Sequence, residues 1–319
     1  MKNYLKTLLA LSSKKNFIVF FLGLLAVAEL NAQQVPQYTQ YLFNDFAINP
    51  AIAGKNKWWD CKSNNRYQWS GITDAPRTYV LSLNGPMKNK KMGLGGTLYT
   101  DIVGPTRRIG LSGSYAYHMK LNETYKLSLG LSAGILQWAV DGSKITLHDP
   151  GDAVMSNAYQ SVIVPDFAAG AYLYSKRLFV SVSVPQLYEA KLKFFDYQTN
   201  VQSKLKAHLY LMGGYRFQLN EDFELEPSAM IKYVKPAPLK VDVAVRCIYQ
   251  DQVWLALAFR THDALTAMVG YKYKNWLTIG YSYDFTITPL RQYTTGTHEI
   301  MFGIQFMQKD NKPSQPITE

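Results

Sequence analysis

No stretch of this chain is apolar for the roughly 20 residues that a membrane-crossing helix needs. The longest such run, residues 17–28, is about twelve residues and lies near the N-terminus. Charge is also scarce. Asp, Glu, Lys and Arg make up 18% of the chain, where a soluble domain averages about 25%. Only two cysteines occur, Cys61 and Cys247, and no spacing of Cys, His and acidic residues resembles a zinc site. Helical periodicity is nearly absent after residue 57. These gaps exclude a helical membrane protein, and they leave strands as the only way for the chain to enter a bilayer.

What is present begins with an export signal. Lys2, Lys6, Lys14 and Lys15 precede the apolar run, and small residues follow around Ala32, the three-part layout of a secretory peptide. Residues 1–32 are therefore expected to be removed, with the processed chain starting near Gln33. No cysteine stands at that point, so a lipid anchor is not expected. Export implies a compartment where disulfides form. Cys61 and Cys247 fall in separate predicted strands and could pair only if those strands were neighbours; two small strand residues is the simpler reading. The formal charge of +11 falls to about +8 once the signal is removed. The excess is spread along the chain, which suits loops and a lumen meeting anionic headgroups and does not suggest a nucleic-acid partner.

From residue 57 onward, apolar and small or polar residues alternate. Ile109, Leu111, Tyr115 and Tyr117 point one way while Arg108, Gly110, Ser112, Ser114, Ala116 and His118 point the other. Leu127, Leu129, Leu131 and Ile135 oppose Ser128, Gly130, Ser132 and Gly134. A third run, residues 205–217, sets Leu205, Ala207, Leu209 and Leu211 against Lys206, His208 and Tyr210. The same reading gives about fourteen strands: 57–69, 77–84, 92–101, 107–119, 125–137, 166–174, 178–184, 205–217, 223–233, 239–249, 252–260, 265–273, 277–285 and 298–307.

Alternation alone fits either a secreted soluble β protein, whose apolar rows face inward, or a membrane barrel, whose apolar rows face lipid. Three features favour lipid: a reverse face rich in Gly, Ser, Lys and Arg; aromatics crowding strand ends, as at Tyr271, Tyr273, Tyr281 and Tyr283; and a last strand closing on Phe302, Ile304 and Phe306. The predicted links also alternate in length. Short turns follow even-numbered strands, and the longest links, 138–165, 185–203 and 286–297, follow odd ones. The expected fold is thus all-β, a transmembrane antiparallel up-and-down barrel over residues 57–307 with both termini periplasmic. Residues 308–319, polar and carrying Pro313 and Pro316, are expected to be a flexible tail.

Reactive constellations are missing. The histidines, His118, His148, His208, His262 and His298, stand singly, and Asp149 and Asp152 are too few to cage calcium. Gly93, Gly95 and Gly96 lie inside a strand and open no helix, so they are no phosphate loop; small residues there suit close packing against an interior plug. No nucleophile elbow or acid and base pair stands out. No enzyme activity, cofactor or metal is expected.

The segment after the signal reads Pro36, Gln37, Tyr38, Thr39, Gln40, Tyr41, then Asn49, Pro50, Ala51, Ala53 and Gly54. An ordered series continues through Arg66, Tyr67, Gln68 and Trp69; Ala75, Pro76, Arg77 and Thr78; Gly104, Pro105 and Thr106; residues 114–118; Pro165, Asp166 and Phe167; Ser183, Val184 and Pro185; residues 280–284; and Thr295 to His298 and Glu299. This series resembles the PorP/SprF family of outer-membrane proteins of type IX secretion and gliding. It departs at Asp149 to Ala153, where the family often has a second proline. The resemblance implies support for export or surface attachment of a large adhesin-like cargo protein with a type IX C-terminal sorting domain. It also implies periplasmic peptidoglycan-binding or other type IX partners beside outer-membrane lipids.

Residues 33–56 suit neither lipid nor a free tail, and are expected in the lumen or at the periplasmic mouth. Tyr38, Gln40, Tyr41, Asn49, Pro50, Arg66, Trp69, Pro76, His298 and Glu299 are the candidates for holding this plug or a partner. Arg66 and His298 are the candidate clamps, with lumen polarity alone as the simpler explanation. The competing functional reading is a diffusion pore or small-solute transporter.

Overall fold

A computed structural model describes residues 35, 37–145, 159–194, 203–274 and 276–307. Its strands are β1 (Trp58–Tyr67), β2 (Arg77–Pro86), β3 (Met92–Val103), β4 (Thr106–Lys120), β5 (Lys126–Asp141), β6 (Tyr159–Tyr174), β7 (Leu178–Val184), β8 (Lys191–Leu192), β9 (Ser203–Lys204), β10 (His208–Tyr215), β11 (Phe217–Gln218), β12 (Phe223–Val234), β13 (Lys240–Tyr249), β14 (Val253–Arg260), β15 (Ala264–Tyr273), β16 (Leu277–Thr286) and β17 (Thr297–Met307). β8 and β9 form a small hairpin of their own, and β11 continues β10 past Arg216. The remaining strands make one antiparallel wall of fourteen staves. It closes where β1 meets β17, with Trp58 opposite Met307 and Tyr67 opposite His298. Closure leaves no edge in the hydrocarbon, which satisfies the backbone where water is absent.

Burial follows the period of two. In β4, Leu111, Tyr115 and Tyr117 are exposed on the outer surface while Ala116 and His118 are buried inside. In β14 the outward Leu255 and Leu257 are 60% and 70% exposed, and Trp254, Ala256 and Arg260 face in. An outer surface covered in leucine, valine and isoleucine has no stable place in water, so the wall faces acyl chains. Aromatics gird its two rims, with Tyr117, Tyr215, Phe217, Phe223 and Tyr249 at one and Tyr67, Tyr233, Phe259 and Phe285 at the other. None of the described helices is long and apolar enough to cross a membrane.

One mouth is closed by tight turns. At 250–252 the chain reverses with Gln250 and Asp251 at φ 49° and 58°, the mirror-image geometry that matches strand twist. The other mouth carries the links 68–76, 235–239, 261–263 and 287–296, the two-residue turn 104–105, and the described ends of the connections from β5 to β6 and from β7 to β10. Cys61 and Cys247 are free thiols on β1 and β13, which are not neighbours, and both face outward by the parity of their strands.

The structure corrects three boundaries. β5 runs on to Asp141 and β6 begins at Tyr159, so the two arms of the expected link 138–165 are largely strand, paired from Ile135 with Pro165 up to Asp141 with Tyr159. β10 starts at His208 and not at 205. Leu205 leaves the lipid-facing row altogether. It is buried with Leu136, Trp138, Val164, Ala190 and Leu192 in a small core where the β8–β9 hairpin folds against the inner face of β5 and β6. Asp149 and Asp152 lie outside the described residues.

Candidate functional site

The chain from Val35 to Lys57 lies against the inner wall and crosses the lumen from mouth to mouth. At the long-link mouth, Val35 and Gln37 line a space with His208, Lys232, Val234 and Lys240, residues at the tops of β10, β12 and β13. At the short-turn mouth, Lys55 and Asn56 sit beside Tyr174, Arg177 and Arg216. The described chain therefore starts at one mouth, while β17 ends at the other. The expected periplasmic placement of both termini falls on residues 33–34 and 308–319, which lie outside the described residues. The even strand count fixes only the places of Trp58 and Met307; the preceding segment spends the whole barrel height returning to Trp58.

Near the long-link mouth the segment enters a buried ionic cage. Glu299 accepts the backbone amides of Thr39 (2.7 Å) and Gln40 (3.1 Å) and the side-chain amide of Asn64 (2.9 Å). The Gln40 side chain donates in turn to the Glu299 carbonyl at 3.0 Å. Thr39 Oγ1 donates to Asp284 at 2.9 Å and accepts from Arg66, which also pairs with Asp284 (2.9 Å) and Glu299 (3.4 Å). Arg260 extends the cage to Asp284 (3.5 Å), Asp242 (3.6 Å) and Asp263 (3.0 Å), and Lys232 closes on Asp242 at 2.6 Å. Side chains this buried lose several kcal/mol each on leaving water, so they persist only where each has a partner. The segment supplies part of that partnership.

Midway, two 3-10 turns, Asp45–Ala47 and Pro50–Ile52, thread the lumen. Asn49 caps the second: its Oδ1 accepts the Ala51 amide at 2.9 Å, and Pro50 fits the first turn position, where no N–H is required. The Asn49 amide donates to Ser181 Oγ (2.8 Å) and to the carbonyls of Ala171 and Val182 (3.1 Å each), riveting the turn to β6 and β7. Glycine makes the approach possible. A Cβ on Gly93 would overlap the Ala53 carbonyl, and one on Gly130 would overlap the Ala51 backbone. Lower down, His118 Nε2 bonds the Ala53 carbonyl at 2.8 Å, Lys55 pairs with Asp45 at 2.5 Å, and Phe43 stacks on Trp254 with centroids 4.8 Å apart.

The family model described as type IX secretion system membrane protein PorP/SprF matches residues 30–304. The chain belongs to the PorP/SprF family. It matches no curated protein in sequence. Solved barrels resemble this PorP/SprF protein in form. A FadL homologue of Pseudomonas aeruginosa shares 14% identity over 86% of this chain and 95% of its own, with a TM-score of 0.48. The toluene transporter TodX of P. putida shares 9% over 83% and 94%, with a TM-score of 0.49. Omp33 of Acinetobacter baumannii shares 8% over 79% and 98%, with a TM-score of 0.43. This is an outer-membrane β-barrel of the type IX secretion system.

Of the residues singled out from sequence in this PorP/SprF barrel, Tyr38, Gln40, Tyr41, Asn49 and Pro50 lie on the luminal segment, and Arg66 and Glu299 meet it from β1 and β17. His298 does not. Its side chain points out of the barrel, where Nδ1 bonds the Tyr281 hydroxyl at 2.7 Å and the ring packs edge-on to Tyr283; next to inward Glu299 it must face the other way. Trp69 and Pro76 build the 68–76 link instead. The Trp69 amide donates to Thr297 Oγ1 at 3.0 Å, and the Pro76 carbonyl accepts from Gln68 at 3.0 Å. The site residues missed from sequence are Thr39, Asp242, Arg260, Asp263, Asp284 and Lys232. Most of these stand at inward parity near strand tops, a signal that becomes legible only when neighbouring strands are in register.

Proposed function

We propose that this barrel supports export and surface attachment of a large adhesin-like cargo protein, and that its long links meet that cargo outside the cell. The short-turn mouth then faces the periplasm, where peptidoglycan-binding or other type IX components are the partners. Residues 33–56 act as a resident plug after the signal 1–32 is removed, and 57–307 are the anchor. The observation that supports this reading over a diffusion pore is the chain's own segment lodged in the lumen, caged at Arg66, Asp284 and Glu299 and riveted at Asn49. A conducting channel would need that space for water.

Deleting the gene is expected to leave the cargo synthesised but missing from the cell surface, read by surface proteolysis of intact cells beside whole-cell blotting. Cargo displayed as in the parent strain would overturn the role. Purified protein in a planar bilayer is expected to be nearly silent. Steady conductance at rest would restore the transporter reading.

A further inference from the structure

The barrel wall is not of even height. β6 pairs with β5 along its full length, from Lys126 with Tyr174 to Asp141 with Tyr159. On its other side β7 reaches only from Tyr174 to Ala169. Beyond Val184 the chain leaves the wall, and β10 rises no further than His208, whose amide bonds the Pro185 carbonyl at 3.2 Å. The upper part of β6 is therefore a strand edge at the long-link mouth.

The polarity of that edge can be read residue by residue. The Phe167 carbonyl accepts the Leu187 amide at 2.8 Å, so odd-numbered residues of β6 turn their backbone groups toward the breach. Pro165 has the same parity and has no N–H to lose there, consistent with proline's restriction to strand edges. Among the described residues, no hydrogen bond reaches the breach side of Tyr159, Ser161 or Ile163. Tyr159 and Ile163 are 59% and 62% exposed. An unpaired row of this kind is a template for another strand.

Charge beside it selects the partner. In the hairpin on the inner face of β6, Lys191 stands directly across from Lys204, an arrangement that repels. Lys193 and Lys206 flank the paired residues in the chain, and Lys191 and Lys193 are exposed. Among the described residues of the hairpin and its flanks, Glu189 is the one acid. It bonds Lys204 at 2.9 Å, and that bond holds its carboxyl below the usual carboxylate range. Over the whole link 185–207 the sequence carries four lysines against Glu189 and Asp196, a net positive charge.

We propose that the free edge of β6, from Tyr159 to Ile163, receives an extended acidic segment of the exported cargo by strand addition, with the lysines of the β8–β9 hairpin meeting its carboxylates. This rests on the cargo-docking reading above and names its mode. Backbone pairing gives the grip and the lysines give the choice of sequence.

A photo-crosslinking residue placed at 161, and separately at 163, in the full-length barrel in living cells tests the proposal. Mass spectrometry of the linked peptide is expected to identify an acidic, extended stretch of the cargo. Ser161→Pro removes one edge N–H while sparing the pairing with β5. It is expected to lower surface-retained cargo about five- to tenfold, with heat-modifiable migration of the barrel unchanged. Lys191→Glu combined with Lys193→Glu is expected to lower it at least as much, and added salt to mimic the effect in the wild type. Crosslinks to a second copy of this chain, to its own residues 195–202 or to lipopolysaccharide alone, or no crosslink at all, would overturn the proposal. So would full cargo retention by both variants in a strain where gene deletion abolishes display, and that result would leave the docking role itself standing. If deletion leaves display intact, the role fails first.

Discussion

Glu299→Ala is expected to destabilise the barrel by roughly 3–5 kcal/mol, the usual cost of removing one member of a buried ion pair, and to free the luminal segment. Glu299 is fully buried and accepts two backbone amides of the segment, from Thr39 and Gln40, besides pairing with Arg66. Its loss strands both amides and leaves a buried guanidinium with Asp284 as its remaining acid. Glu299→Gln keeps the shape and an acceptor oxygen, so its loss should be smaller. Arg66→Met combined with Glu299→Met should cost less than the two single losses added together, because neither charge is left alone. The denaturant midpoint in detergent reads the stability, and trypsin cutting at Lys55 reads the segment, whose Lys55 side chain is only 24% exposed in the intact barrel. An alanine variant that unfolds with the wild type and resists trypsin equally would show that the cage does not hold the segment.

The cage could not have been assembled from sequence, although the barrel could. Alternation is local, so each of the fourteen staves was legible from its own residues, as the outward Leu111, Tyr115 and Tyr117 illustrate. Errors arose where local rules meet a tertiary exception. Pro165 reads as the end of a link because proline cannot sit in a central strand, yet it stands inside β6 at an unpaired edge. Trp138, Ala139 and Val140 break the alternation that would have extended β5, because there the inner face packs against the hairpin core around Leu192 and Leu205. Leu205 itself continues the apolar row of β10 in sequence and turns inward only because the strand has not yet begun. His298 is a different case, since parity with Glu299 already placed it outside.

Register explains the rest. Arg66, Arg260, Asp242, Asp284 and Glu299 come from five strands, and their distances from one another depend on how each stave is staggered against the next. A single sequence shows that each is a charge on a polar row. It does not show that the five converge. Thr39, Arg66, Asp284 and Glu299 fall within the residues that resemble the family, while Arg260 and Asp242 fall outside them. The two 3-10 turns were illegible for another reason: three-residue turns have no periodicity, and Asn49 followed by Pro50 marks only the start of one.

The path of the segment sets the last expectation, which also fixes which mouth faces outward. In a background with Cys61 and Cys247 changed to serine, Gln37→Cys is expected to react with a membrane-impermeant maleimide added to intact cells. Asn56→Cys should react only after the outer membrane is permeabilised. Residue 37 lines the long-link mouth with Lys232 and Val234, and residue 56 lines the short-turn mouth with Arg177 and Arg216. Between them Phe46, Ala51 and Ile52 of the segment, each at most 3% exposed, pack inside the barrel, and a charged reagent entering from one side is expected not to reach the other. The contrast should be close to all or none. Labelling in the reverse order would put the tight turns at the cell surface and remove the long links from any contact with cargo. Equal labelling of both positions would mean an open lumen, and the segment would then be a lining and not a plug.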